Sequence, residues 1–107
     1  MEAITSLAVL EDRIRKAPIL IAEFGTAGCG PCLALQKKLE SWQRRHPCIP
    51  CLYIPLEGCP EICGQMGIFS APALLVYVQG KLAIREAGCF SLEEILSKVE
   101  FYESILT

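Results

Sequence analysis

The residues Cys29-Gly30-Pro31-Cys32 constrain this chain more than any other segment. Before them runs the apolar stretch Ile19-Leu20-Ile21-Ala22-Glu23-Phe24, which reads as a buried strand, and after them comes a long helical pattern. The pair therefore sits at a strand-to-helix junction with Cys29 at the helix N-terminus. Unpaired backbone N–H groups and the helix dipole favour negative charge there. Thiolate is the reactive form of cysteine, so this position makes Cys29 a nucleophile near neutral pH. Pro31 fits the first helical turn, where its missing N–H costs little. The apolar face Cys32, Leu35, Leu39 and Trp42 then turns Cys32 towards a core. One thiol is set to attack and the other is protected. A C-x-x-C near a βαβ pattern, in a chain without a visible secretion signal, reads as a redox motif.

The remaining pattern fits one α/β domain over residues 1–107. Ser6 can cap a helix carrying Leu7, Leu10 and Ile14, which Ala17-Pro18 ends. The strand over 18–24 and the helix from Pro31 to about Arg45 follow. A second strand spans 51–56, and a short helix runs from Pro60 to about Met66. Ala73 to Gln79 and Lys81 to Glu86 form a hairpin about Gly80, with Leu82 and Ile84 expected on one face. Ser91-Leu92-Glu93-Glu94 is a capping box, Phe90 can staple to Ile95, and Leu92, Ile95, Leu96, Val99 and Tyr102 make the last apolar stripe. This order calls for a central mixed sheet of four to five strands with helices on both faces.

Composition narrows the function. The sequence is 52% hydrophobic, yet no apolar run approaches the roughly 18 residues of a membrane helix. Glu2, Glu11, Asp12 and Arg13 give the N-terminus no basic start and no apolar signal core. Net charge is -2 with no long run of one sign, which points away from nucleic acid. Seven cysteines suit a secreted disulfide framework poorly, because the number is odd and no export signal is visible. A cytoplasmic location, where most thiols stay reduced, is the expectation.

The chain resembles the thioredoxin family from about Ser6 onward. Cys29-Gly30-Pro31-Cys32 is identical to the family's active-site motif. Glu23 falls where the family usually has a buried aspartate, and Ala71-Pro72 where it has a cis-proline facing the disulfide. Gly80 matches the hairpin glycine and Gly88 the glycine on the active-site rim. Gly25 and Gly28 replace tryptophans, Lys37 stands where a kinking proline is frequent, and Tyr53 stands at the position of a common lysine. The family's first strand is cut to a few residues around Glu2–Thr5. The resemblance implies a thioredoxin fold and a thiol–disulfide oxidoreductase reducing protein disulfides through the Cys29–Cys32 dithiol. It also implies disulfide-containing protein substrates, an electron donor like thioredoxin reductase, and no bound cofactor beyond the redox-active disulfide.

Thiol–disulfide exchange needs a thiolate, a resolving thiol and an acceptor for that thiol's proton. Cys29 and Cys32 supply the first two. Periodicity alone leaves Glu23 either solvent-facing at a strand end or buried. If buried, its raised pKa would let it take the Cys32 proton directly or through a water. Pro72 is either a turn proline or the cis-proline of the site; a cis bond would expose the Ala71 backbone to an extended substrate.

The other cysteines admit further readings. Cys48 and Cys51 form a second C-x-x-C, but at a strand entry; Cys51 reads as a small core residue and Cys48 as an exposed thiol. Cys59 sits at another helix start, where its thiolate is favoured by the dipole and opposed by Glu57 and Glu61. Cys63 lies one turn on, too far for an unstrained bridge. Cys89 follows Gly88 on the presumed rim. Cys48, Cys51, Cys59 and Cys63 together define an alternative, a metal-binding or redox-sensing module of the same fold. His46, before Pro47, reads as a surface residue at a helix end.

Overall fold

The computed structural model describes residues 1–106. Its centre is β2 (Ile19–Gly25), in which every residue is buried. A strand covered on both faces has no place for polar alternation, and its sequence is correspondingly apolar except at Glu23. β1 (Glu2–Ala3) pairs in parallel with β3 (Cys51–Pro55), and β3 pairs in parallel with β2. On its other side β2 runs antiparallel to β4 (Ala73–Val78), which forms a hairpin with β5 (Lys81–Ala87). The result is a five-stranded mixed sheet in the order β1-β3-β2-β4-β5.

Alternation along β2 divides the core in two. Leu20, Ala22 and Phe24 pack with Leu10 and Ile14 of α1 (Leu7–Lys16) and Ile62 of α3 (Pro60–Met66). Ile19 and Ile21 pack on the opposite face with Leu35, Leu39 and Trp42 of α2 (Gly30–Gln43) and Leu92, Ile95 and Val99 of α4 (Leu92–Leu106). Leu39 is fully buried, and truncating such a side chain to alanine costs about 2–5 kcal/mol.

Local signals explain the helix ends. Ser6 Oγ accepts from the Val9 N–H, and Ser91 Oγ from the Glu94 N–H. α3 closes on Gly67, and Arg85 reaches across from β5 to donate to the carbonyls of Met66 and Gly67 at 2.8 and 2.6 Å. A cation on the last carbonyls satisfies groups that the helix cannot. Among the described residues no helix is long and apolar enough to cross a membrane.

Three expectations change. α2 ends at Gln43 rather than near Arg45, and the second strand gives way at Leu56 to a 3-10 turn (Leu56–Gly58). Leu82 and Ile84 do not share a face: Ile84 opposes Val76 while Leu82 opposes Tyr77, the neighbouring residue. This register shift sends the two side chains to opposite faces, and Leu82 is left about half exposed while Ile84 is buried.

Candidate active site

The end of β2 and the start of α2 build the site. After Gly25 the chain turns through Thr26, Ala27 and Gly28 before entering the helix. Glu57, on the 3-10 turn, accepts from the Ala27 N–H at 3.2 Å and ties this loop to the segment after β3. Gly28 has φ of 78°, a left-handed conformation that an L side chain adopts poorly. Cys29 is the N-cap of α2 and Pro31 lies in its first turn. Cys29 and Cys32 form a disulfide with their Cα atoms 5.2 Å apart. Cys29 is partly exposed at the helix tip, whereas Cys32 retains 2% of its accessible surface. Gly30 and Pro31 lie exposed between them.

Glu23 is wholly buried on the sheet face turned towards α2, the face of Ile21 and Cys51. The solvent-facing alternative is thereby excluded. Neither carboxylate oxygen has a hydrogen-bond partner among the described residues. Burial, helped by the charge of Glu40, pushes its pKa up to about 8. Glu40 itself pairs with the Met1 amino group at 2.5 Å. Two positions beyond Glu23, the buried Gly25 lies beneath the Tyr53 ring and against Cys32.

Ala71 and Pro72 lie in the segment that leads into β4. The Ala71–Pro72 peptide bond is cis. The Pro72 carbonyl accepts from the Gly88 N–H at 2.9 Å, which fixes Gly88 beside it and leaves the following Cys89 exposed. Phe69, three residues before Pro72, is 80% exposed. A cleft of about 390 Å³ opens at the dithiol, bounded by Thr26, Gly28, Cys29, Cys32, Gln36 and Tyr53. A groove of about 450 Å³ between α2 and α4 lies away from the sulfurs.

The remaining cysteines do not converge. Cys51 packs on the α2 side of the sheet and Cys59 on the α1 side, so the sheet separates them. Cys48 is exposed, and Cys63 is buried with its thiol directed at the Leu56 carbonyl. No group of three or more metal-ligating side chains occurs among the described residues. The structure therefore does not gather Cys48, Cys51, Cys59 and Cys63 into one cluster.

Cys59 also departs from expectation. It is 2% exposed, and burial first, then Cys63 and Glu57, raises its thiol pKa, so the helix start does not make it reactive. Cys51 behaves as a core residue, its thiol pushed up to about 12 by burial and by Glu23. His46 is half-buried rather than free: it stacks on Trp42 with centroids 4.1 Å apart and meets Glu103 at 2.8 Å and Glu100 at 3.3 Å. Sequence reasoning missed Glu40 as a neighbour of Glu23 and Tyr53 as the cover of Gly25. A glycine among the large residues of β2 was the available signal for the latter.

The chain is similar to known proteins in sequence and in fold. The family model described as Thioredoxin matches residues 3–101. Thioredoxin of Chlamydia muridarum is 30% identical over 83 residues, spanning 75% of this chain and 81% of that protein. The thioredoxin-like protein YdfQ of Bacillus subtilis is 25% identical over 100 residues, 94% and 89% of the two chains. Fasciola hepatica thioredoxin superposes with a TM-score of 0.84 at 19% identity, covering 95% of this chain and 99% of its own. Oxidised thioredoxin from Plasmodium falciparum gives 0.83 at 20% identity, covering 92% and 97%. At such identities the structural likeness establishes the fold alone.

Proposed function

The chain belongs to the thioredoxin family and is a thiol–disulfide oxidoreductase, and from that premise we propose that it works as a protein-disulfide reductase with Cys29 as nucleophile. The observation that carries this reading is the asymmetry of the Cys29–Cys32 pair, one sulfur partly open at a helix N-cap and the other covered. The Cys29 thiolate attacks one sulfur of a substrate disulfide, forming a mixed disulfide and expelling a substrate thiolate. The Cys32 thiol gives its proton to Glu23, and its sulfur attacks Cys29, releasing the second substrate thiolate and closing Cys29–Cys32. Two electrons pass from the dithiol to the substrate, and the dithiol alone carries them.

Glu23 suits the acceptor role because a buried carboxyl titrating near 8 is ionised often enough near neutral pH to take a proton and basic enough to hold it. Ala71, Pro72 and Gly88 form the rim against which an extended substrate segment would lie, with Gly30 and Pro31 on the facing side. Substrates are disulfide-containing proteins, and a reductase of the thioredoxin-reductase kind returns the electrons. We read residues 1–107 as one domain, supported by the single five-stranded sheet. Five free thiols beside one disulfide support a reducing, cytoplasmic setting.

Insulin reduction by wild type and Cys29→Ser tests the reading. Loss of turnover in the variant agrees with it; retention of most of the activity removes Cys29 from the role.

A further inference from the structure

Tyr53 and Glu23 are partners in the parallel register of β2 and β3. The Tyr53 side chain reaches from its register partner Glu23 to Gly25, two residues further along β2. It leans towards the C-terminal end of β2 and covers Gly25, where a Cβ would stand 2.8 Å from both Cε1 and Oη of Tyr53 and 3.2 Å from Cβ of Cys32. Gly25 has no side chain of its own, so the ring and Cys32 occupy the space above it. The ring is only partly buried and lines the dithiol cleft. Its register partner Glu23 has no accessible surface and no partner for its oxygens among the described residues.

We propose that Tyr53 is a positioning residue of the dithiol site: its ring closes the passage from the cleft to Glu23 and Cys32, keeping the acid dry and the resolving thiol shielded. The inference rests on the reading of Glu23 as proton acceptor. The groups set against Glu23 are Cys51 and Tyr53 from β3, Glu40 from α2, and Leu74 from β4. The charge of Glu57 also acts on the Tyr53 phenol, and the Met1 amino group pairs with Glu40. Desolvation is the largest influence holding the Glu23 proton, so the group that excludes water governs the acid more than any charge does. Shielding is a property of the ring, not of the hydroxyl. Tyr53→Phe should therefore preserve it, and Tyr53→Ala should abolish it.

The test follows the Glu23 carboxyl by carbon-13 NMR across pH in oxidised wild type, Tyr53→Phe, Tyr53→Leu and Tyr53→Ala, with chemical-shift dispersion confirming the fold. The expected midpoint is near 8 in wild type and unchanged in Tyr53→Phe. It should fall by about one pH unit or more in Tyr53→Ala and by an intermediate amount in Tyr53→Leu. In a reduced Cys29→Ser background, alkylation of Cys32 should rise several-fold when Tyr53 becomes alanine. Unchanged midpoint and alkylation in both the alanine and leucine variants would overturn the proposal, as would a phenylalanine variant that shifts as far as alanine. If the midpoint moves while the pH profile of mixed-disulfide resolution does not, the shield stands and the acceptor role of Glu23 fails.

Discussion

Cys29 Sγ accepts a hydrogen bond from the backbone N–H of Cys32 at 3.2 Å, so the side chain that caps α2 belongs to the more exposed sulfur of the disulfide. The Leu33 N–H bonds the Cys29 carbonyl at 3.1 Å, which completes the first turn around the same residue. A cap position gives an anionic sulfur donors and a favourable dipole. In the fully reduced protein, iodoacetamide should therefore label Cys29 well ahead of Cys32. Quenched-flow labelling with peptide mapping reads the order, and faster labelling of Cys32 would contradict it.

Glu23 makes stability depend on pH in a definite direction. Its carboxyl ordinarily titrates near 4.5 and in the fold near 8. Between these values the folded state keeps a proton that the unfolded state has released. Wild-type stability should thus fall as pH rises through this window, by an amount on the order of a few kcal/mol, and level off above about 8. Glu23→Gln cannot titrate, so its stability relative to wild type should climb across the window and then flatten. Urea denaturation of the oxidised proteins at several pH values measures the difference, and a difference constant with pH would contradict the account. Glu23→Gln should also slow resolution of a mixed disulfide more than its formation.

The free thiols should separate by burial. Cys48 and Cys89 are exposed, whereas Cys51, Cys59 and Cys63 are buried with raised thiol pKa values. At pH 8 a thiol titrating near 12 is ionised to about one part in ten thousand, and the thiolate is the form that reacts. Native alkylation should mark Cys48 and Cys89 first, and stronger oxidation should join molecules through these two. The three buried thiols should label only on unfolding, and peptide mapping after timed alkylation checks the ranking.

The elements were largely legible because their periodicities are strong. Cys32, Leu35, Leu39 and Trp42 read as one helical face, and all four are buried. Misreadings arose where the outcome depends on distant or irregular geometry. The register shift that separates Leu82 from Ile84 is invisible to a period of two. The helix start at Cys59 was correctly located, but that position does not reveal that its thiol points into the core towards the Ile4 carbonyl. His46 looked free because its partner Glu103 is 57 residues away. Glu23 was ambiguous for a related reason: a strand end does not disclose how much of α2 will lie over it.

The sole tryptophan gives a probe of the junction between α2 and α4. Trp42 Nε1 donates to Glu100 at 2.9 Å, and Trp42 is nearly inaccessible. Glu100→Ala would orphan that donor at a cost of about 1–3 kcal/mol, while Glu100→Gln keeps an acceptor oxygen and should cost less. Chemical denaturation followed by Trp42 fluorescence compares them, and equal stability of the two variants would contradict the assignment.

The central claim is that Cys29 alone opens the substrate disulfide and Cys32 releases the product. Mass spectrometry of Cys32→Ser incubated with a disulfide-bonded protein tests it most directly. The account predicts a stable mixed disulfide mapping to Cys29, absent from Cys29→Ser. A mixed disulfide that maps chiefly to Cys48 or Cys89, or that forms equally well without Cys29, would contradict it.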